Sequence, residues 1–127
     1  MAARIMSQDR RKAPRINEQV SIAISGDGQI VQAQTQNLST TGAYCTMDQF
    51  IAPMTKLQLV FELPDVSRRV RVTCSGVVVR VEPVVADAQR GSYHLAIYFS
   101  EISERSRAAI SKFVRQRLSA RSATNHQ

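Results

Sequence analysis

The feature that most constrains the fold is an alternation of apolar and polar residues that recurs along six short segments. In the segment 56–63, Leu57, Leu59, Phe61 and Leu63 occupy every second position. Successive side chains of a β-strand point to opposite faces, so this pattern is typical of a strand with one buried face. Comparable patterns predict strands over residues 19–25, 29–36, 43–47, 56–63, 69–81 and 93–99.

Turn-forming residues separate these segments. Gly26-Asp27-Gly28 follows the first segment and predicts a hairpin, because glycine adopts positive φ without steric cost. In the fifth segment the apolar positions change parity near Gly76, which predicts a bulge or a sharp bend. The strands are therefore expected to pair in antiparallel fashion.

The periodicity changes after the sixth segment. Ile110, Phe113, Val114 and Leu118 recur at helical spacing and form one apolar stripe, and Ser103 is a suitable N-cap. A helix with such a stripe must pack on the strands. The sequence thus predicts a mainly β fold, a six-stranded antiparallel β-barrel with a C-terminal α-helix.

Length and charge indicate how the chain is organised. A chain of 127 residues is sufficient for one domain. The net charge of +7 is concentrated at the ends: residues 1–15 carry five basic and one acidic residue, and residues 103–127 carry six and one. These ends predict an anionic partner, with solubilising charge as the alternative. The expected organisation is a flexible basic segment 1–18, a barrel with its helix 19–118, and a disordered tail 119–127.

Several classes of function find no support in the sequence. No apolar run is long enough for a membrane span or a secretory signal, so the expected location is the cytoplasm. Cys45 and Cys74 are expected to be buried free thiols, and His94 and His126 lie at no metal-ligand spacing. No Ser/His/Asp or Cys/His set is evident. We therefore expect neither an enzyme nor a bound metal or cofactor.

A cluster of arginines precedes the first strand. Arg11 and Arg15 lie four residues apart, with Arg10 before them and Pro14 between them. A guanidinium offers paired donors that match a phosphate or the O6/N7 edge of guanine. Pro14 stiffens the segment and reduces the entropy lost when it binds.

A second motif follows the second strand. Asn37 and Ser39 alternate on an extended segment and would present an amide and a hydroxyl on one side. Gly42 permits positive φ and a close approach of the backbone. Together, the two motifs describe a site for a small anionic ligand that carries guanine.

This combination, Arg-x-x-x-Arg before the first strand and Asn-x-Ser-x-x-Gly after the second, resembles the PilZ family. The resemblance extends from about residue 9 to about residue 118, and the family fold is a six-stranded antiparallel barrel with a helix. Ala96 stands where the last strand of the family often has glycine.

The resemblance implies a receptor for cyclic di-GMP. It assigns guanine and phosphate contacts to Arg11 and Arg15, and the opposing surface to Asn37, Ser39 and Gly42. Arg10, just before the first motif arginine, favours a stacked pair of ligands. The basic tail is expected to fold over the ligand and to alter the surface shown to an unidentified downstream protein partner.

Two other functions stay open. One is a PilZ-like module that binds a protein and no cyclic di-GMP, although that class usually lacks the motif arginines. The other is a small barrel that binds single-stranded nucleic acid. The Tyr and Phe residues mostly occupy core-type positions, and the lack of a stacking platform argues against it.

Overall fold

The computed structural model describes residues 14–26, 28–65, 67–84 and 91–125. These ranges form six strands followed by one helix. The elements are β1 (Ser21–Gly26), β2 (Gln29–Leu38), β3 (Gly42–Met47), β4 (Lys56–Pro64), β5 (Arg69–Pro83), β6 (Tyr93–Ile102) and α1 (Glu104–Asn125).

The six strands form a closed antiparallel barrel in the order β1-β2-β3-β6-β5-β4. The barrel closes where β1 pairs with β4, with Ile22 opposite Phe61. The alternating apolar residues of β4 are at most 3 % exposed, as a strand with one buried face requires. The predicted fold, a six-stranded barrel with a C-terminal helix, is confirmed.

β5 differs in detail from the prediction. Its register against β6 does shift between Ser75 and Gly76, but the buried positions keep their parity through Val78, which is fully buried. Parity changes only at a second shift between Val78 and Arg80. Val79 is the extra residue of this second bulge, and its side chain is 54 % exposed. The predicted parity change at Gly76 was therefore placed too early.

Helix α1 covers the barrel with the predicted stripe. The Ser103 hydroxyl accepts a hydrogen bond from the Ser106 N–H (3.1 Å), so Ser103 is the N-cap. Ile110, Phe113 and Val114 are buried, and the helix packs on β4 and β5. It ends at Asn125, whereas a disordered tail from residue 119 was expected. No glycine or proline interrupts residues 119–125, so the helix continues after its apolar stripe has ended.

The fold also begins earlier than residue 19. Ile16 is fully buried, and the Thr35 hydroxyl donates to the carbonyl oxygen of Glu18 (2.6 Å) and accepts from the Val20 N–H (2.8 Å). The Glu18 carboxylate pairs with Arg117 of α1 (2.8 Å). Residues 14–18 thus belong to the barrel structure, and the expected flexible segment 1–18 is too long by these five positions. Residues 1–13 lie outside the described part of the chain.

The two cysteines are free and buried inside the barrel. Burial raises the pKa of Cys45 to about 12 and that of Cys74 to about 11, so both thiols stay protonated near neutral pH. In the described ranges, no helix is both long and apolar enough to cross a bilayer. Those ranges likewise contain no cluster of three or more His, Cys, Asp or Glu residues suited to a metal ion.

Candidate functional site

Arg15 is held next to the end of β2 by the residue that follows it. The Ile16 N–H donates to the carbonyl oxygen of Leu38 (3.1 Å), and the Leu38 N–H donates to that of Ile16 (3.0 Å). Continuation of this antiparallel register puts Arg15 beside Ser39. One motif arginine is therefore fixed against the second motif, although 23 positions separate them in the sequence.

The turn between β2 and β3 is held by Ser39. Its hydroxyl accepts from the Thr41 N–H (3.1 Å) and lies 3.0 Å from the Thr41 hydroxyl, and its own N–H donates to the carbonyl oxygen of Gly42 (3.0 Å). The Phe99 N–H donates to the carbonyl oxygen of Thr41 (2.9 Å) and fixes the turn to β6. Ser39 is 1 % exposed, so its hydroxyl shapes the turn and does not project into solvent.

Gly42 allows β3 to approach β6 closely. A Cβ atom at this position would overlap the backbone carbonyl oxygen of Ile97, which cannot move away as a side chain could. Gly42 does not adopt positive φ, whereas Gly28 and Gly91 do. Of the two features that the sequence suggested for Gly42, the structure shows a close approach of the backbone, here between two strands, and no positive φ.

Arg15 and Gly42 line the same groove on the outer surface of the barrel. We refer to it as the β3–β6 groove; its volume is about 250 Å³. Asn37, near the end of β2, and Ser39, in the adjoining turn, do not line it. Asn37 is half-buried and pairs with Tyr44 immediately after a register shift in β2. Arg10 and Arg11 lie outside the described residues. The groove is lined by Arg15, Thr41, Gly42, Ala43, Tyr44, Val79, Arg80, Ala96, Ile97 and Tyr98.

Arg80 supplies a second cation to this groove, and the sequence motifs did not identify it. Its guanidinium carbon lies 6.0 Å from the centre of the Tyr44 ring, and its Nε lies 3.6 Å from the Glu82 carboxylate. The Tyr44 hydroxyl donates to the same carboxylate (3.0 Å). Desolvation, together with the neighbouring Glu82, raises the pKa of Tyr44, so the phenol is neutral at physiological pH. This network orients Arg80 towards the groove from β5.

Tyr98 provides an exposed aromatic ring at the same groove. It is 54 % exposed, whereas Leu95, Ile97 and Phe99 on the alternate positions of β6 are buried. The expectation that aromatic residues occupy core positions therefore fails for Tyr98. The alternation of β6 contains the signal that could have identified it, because an aromatic residue at an outward position of a strand has no core to enter.

The arrangement suits a planar anionic ligand. Arg15 and Arg80 both line the groove, no acidic residue of the described ranges does so, and Tyr98 offers a face on which an aromatic base can stack. An Arg guanidinium can pair with a phosphate or with the edge of guanine.

Solved structures with the same fold include two PilZ domains and an inhibitor of motility. The chain matches the Bacillus subtilis inhibitor of motility (MotI/DgrA) with a TM-score of 0.76 and 18 % identity, over 86 % of this chain and 51 % of that one. It therefore spans about half the length of that protein. It matches the PilZ domain of YcgR from Escherichia coli, solved with c-di-GMP, with a TM-score of 0.64 and 12 % identity, over 91 % and 98 % of the two chains. The PilZ domain of CeSA from a cellulose-synthesizing bacterium gives a TM-score of 0.56 and 15 % identity, over 80 % and 94 %.

At these identities the structural likeness concerns the fold, and the family follows from the sequence. No curated protein matches the chain. The family model for the PilZ domain matches residues 9–116, which include both motifs, all six strands and most of α1. The chain therefore belongs to the PilZ domain family.

Proposed function

We propose that this protein is a non-enzymatic receptor for cyclic di-GMP. The observation that carries the proposal is the bridge between Ile16 and Leu38, which brings Arg15 of the first motif against the turn of the second. Arg15 and Gly42, one residue from each motif, line the same groove, which supports the proposal. The YcgR PilZ domain, solved with c-di-GMP, has the same fold and supports the choice of ligand.

In this proposal the ligand lies between the N-terminal segment and the β3–β6 groove. Arg11 and Arg15 contact guanine and phosphate groups, and Asn37 and Gly42 form part of the opposing surface. Ser39 contributes through the turn that it holds, and a ligand that reaches its hydroxyl replaces Thr41 as the hydrogen-bond partner.

Arg80 and Tyr98 extend the proposed surface from β5 and β6. Arg80 can contact a phosphate, and the exposed ring of Tyr98 can stack on a guanine base. Arg10 precedes the first motif arginine and favours a second, stacked ligand. A stoichiometry of two in calorimetry would support that assignment.

Binding is expected to order the N-terminal segment over the ligand and so to change the charge presented to a downstream protein. Amide hydrogen exchange with and without saturating cyclic di-GMP tests this step directly. Protection of residues 9–13 on binding is the expected result, and equal exchange in both states would refute the ordering step.

Isothermal titration of cyclic di-GMP into the wild-type protein tests the proposal itself. A bidentate arginine contact contributes roughly 1–3 kcal/mol, so Arg15→Ala should weaken binding about tenfold to a hundredfold, and Arg11→Ala/Arg15→Ala should abolish measurable heat. Arg115→Ala is the matched control, because Arg115 lies on α1 and does not line the groove. Arg80→Ala and Tyr98→Ala should each weaken binding to a smaller degree.

A folded wild-type protein that gives no heat would refute the receptor proposal and favour a module that binds only a protein. Retained affinity in Arg11→Ala/Arg15→Ala would place the ligand elsewhere on the barrel. Preferential binding of long oligonucleotides, with steep salt dependence, would instead support the nucleic-acid class.

A further inference from the structure

A second groove lies between the start of β5 and the first half of α1, and we refer to it as the β5–α1 groove. Its volume is about 600 Å³, and it shares no lining residue with the β3–β6 groove. Arg71 on β5 lines the second groove, and Arg80 lines the first. They lie nine positions apart along the strand, at most roughly 30 Å at the rise of an extended chain. The two grooves are therefore separate surfaces.

Basic side chains border the β5–α1 groove on both sides. Arg68, Arg69 and Arg71 approach from the β5 side, and Arg105 and Lys112 approach from α1. Asp65 is the one acidic residue among the described residues of the lining. The first turn of α1 adds the positive end of the helix dipole, which Glu104 in the same turn partly offsets. The described lining therefore carries five basic residues and one acidic residue.

The fold does not use most of these cations for its own ion pairs. Lys112 pairs with Asp65 (3.1 Å), and Arg69 pairs with Glu62 (3.3 Å). Arg68, Arg71 and Arg105 are exposed and form no ion pair with another residue in the described ranges. Like charges that line one groove repel one another, so an anionic occupant would lower the free energy of the groove.

Part of the lining of the groove is apolar. Val70, Ala108 and Ala109 line it beside the hydroxyl side chains of Thr73, Ser103 and Ser106, and the three short apolar side chains leave space for apolar groups of an occupant. No aromatic residue of the described ranges lines the groove, so nucleic-acid bases would find no ring to stack on there. A polypeptide that combines carboxylates with aliphatic side chains fits both the basic residues and the apolar part of the lining.

We propose that the β5–α1 groove docks an acidic segment of a partner protein. The charge of the chain argues against its own N-terminal segment as the occupant, because residues 1–13 carry four basic residues and one acidic residue. The aliphatic side chains in the lining favour a peptide over a polyphosphate chain. This docking is independent of cyclic di-GMP, since the two surfaces have separate linings.

Fluorescence anisotropy with the full chain provides the test. The probe is a fluorescein-labelled synthetic peptide that alternates glutamate pairs with leucine, and a second peptide carries glutamine in place of each glutamate. The groove variant is Arg68→Glu/Arg105→Glu. The matched control is Arg107→Glu/Arg115→Glu, which makes the same change in net charge at helix positions that do not line the groove.

The acidic peptide should bind the wild-type protein and the control variant with similar affinity. The groove variant should bind about tenfold more weakly, because two attractive contacts become repulsive. The glutamine peptide should not bind, and added salt should weaken the acidic peptide through screening. Circular dichroism establishes that each variant is folded.

Three results would overturn the proposal. The first is equal weakening in the groove and control variants, which would indicate attraction to net charge alone. The second is an absence of binding by the folded wild-type protein at low salt. The third is tighter, groove-dependent binding of an oligo-deoxythymidine than of the peptide. Calorimetry of the groove variant with cyclic di-GMP separates this proposal from the receptor proposal. The affinity of the groove variant for cyclic di-GMP should equal that of the wild-type protein, whatever the result of the peptide experiment.

Discussion

Replacing Gly42 with alanine tests the reason for a glycine at the β3–β6 contact. The backbone φ of Gly42 is not positive, so alanine meets no conformational penalty there. The added Cβ would overlap the carbonyl oxygen of Ile97, and it would also approach the Tyr98 Cα at 3.4 Å. Since these are backbone atoms, β3 and β6 must separate to accommodate it.

The cost follows from two terms. Overpacking against atoms that cannot rotate away typically costs about 1–3 kcal/mol. Separation of the strands also weakens nearby ladder bonds, such as the one from the Phe99 N–H to Thr41 (2.9 Å), which is worth about 1 kcal/mol. We therefore expect Gly42→Ala to lower the free energy of unfolding by about 2–4 kcal/mol, a large share of the ~5–15 kcal/mol of a typical domain.

Urea denaturation followed by circular dichroism measures this change, since the chain has no tryptophan to report on unfolding. The matched control is Gly28→Ala. Gly28 has φ near 80° and no atom within 4 Å of a built Cβ, so its cost comes from backbone conformation alone and should be about 1 kcal/mol. A Gly42→Ala protein within about 0.5 kcal/mol of wild type would refute the steric explanation.

Three further changes test the packing of the barrel. Ile16→Ala should lower the free energy of unfolding by about 2–4 kcal/mol because Ile16 is fully buried. The control Ile30→Ala, at a side chain that is 72 % exposed, should change it little. Equal effects of the two substitutions would mean that Ile16 is not packed in the core. Ser103→Ala should cost about 1 kcal/mol through loss of the N-cap, and an unchanged urea midpoint would contradict that role. The pKa values of Cys45 and Cys74, raised to about 12 and about 11, predict a loss of stability as pH rises above about 9, because the unfolded state then releases thiol protons that the folded state retains. The slope should approach about 2.7 kcal/mol per pH unit for the two thiols together, and Cys45→Ala/Cys74→Ala should flatten it; the same slope in both proteins would contradict their burial.

The periodicity of the sequence was sufficient to predict the fold, because every second residue of a barrel strand faces the interior. The apolar residues of β4 alternate without interruption, and the structure buries all of them. Periodicity failed where packing breaks the alternation. The inward positions of β5 before its second bulge include Gly76 and Val78. Because Gly76 has no apolar side chain, the alternation of Val77, Val79 and Val81 wrongly predicted that Val77 and Val79 face inward. The end of α1 was also missed, because the sequence beyond its apolar stripe carries no stop signal.

The candidate site was only partly predictable. Motifs identified Arg15 and Gly42, which line the groove, Asn37, which lies near the end of β2, and Ser39, which lies in the adjoining turn. They did not indicate that the Ser39 hydroxyl would form a hydrogen bond within its own turn. This hydroxyl accepts from the Thr41 N–H, two residues ahead, and that bond competes with a bond to a ligand. Arg80 and Tyr98 come from strands distant in sequence, and their convergence depends on which strands are neighbours in the barrel.

The strand order of the barrel also has a kinetic consequence. β6 lies between β3 and β5, so the last strand to be synthesised joins two strands that precede it. Until β6 is available, β3 and β5 each present an unpaired edge that can pair with another chain. Its pairing with β3 spans about fifty residues, and such non-local contacts form slowly. We expect a truncation before β6 to aggregate, and the insertion of β6 to be the late step that ends this exposure during folding.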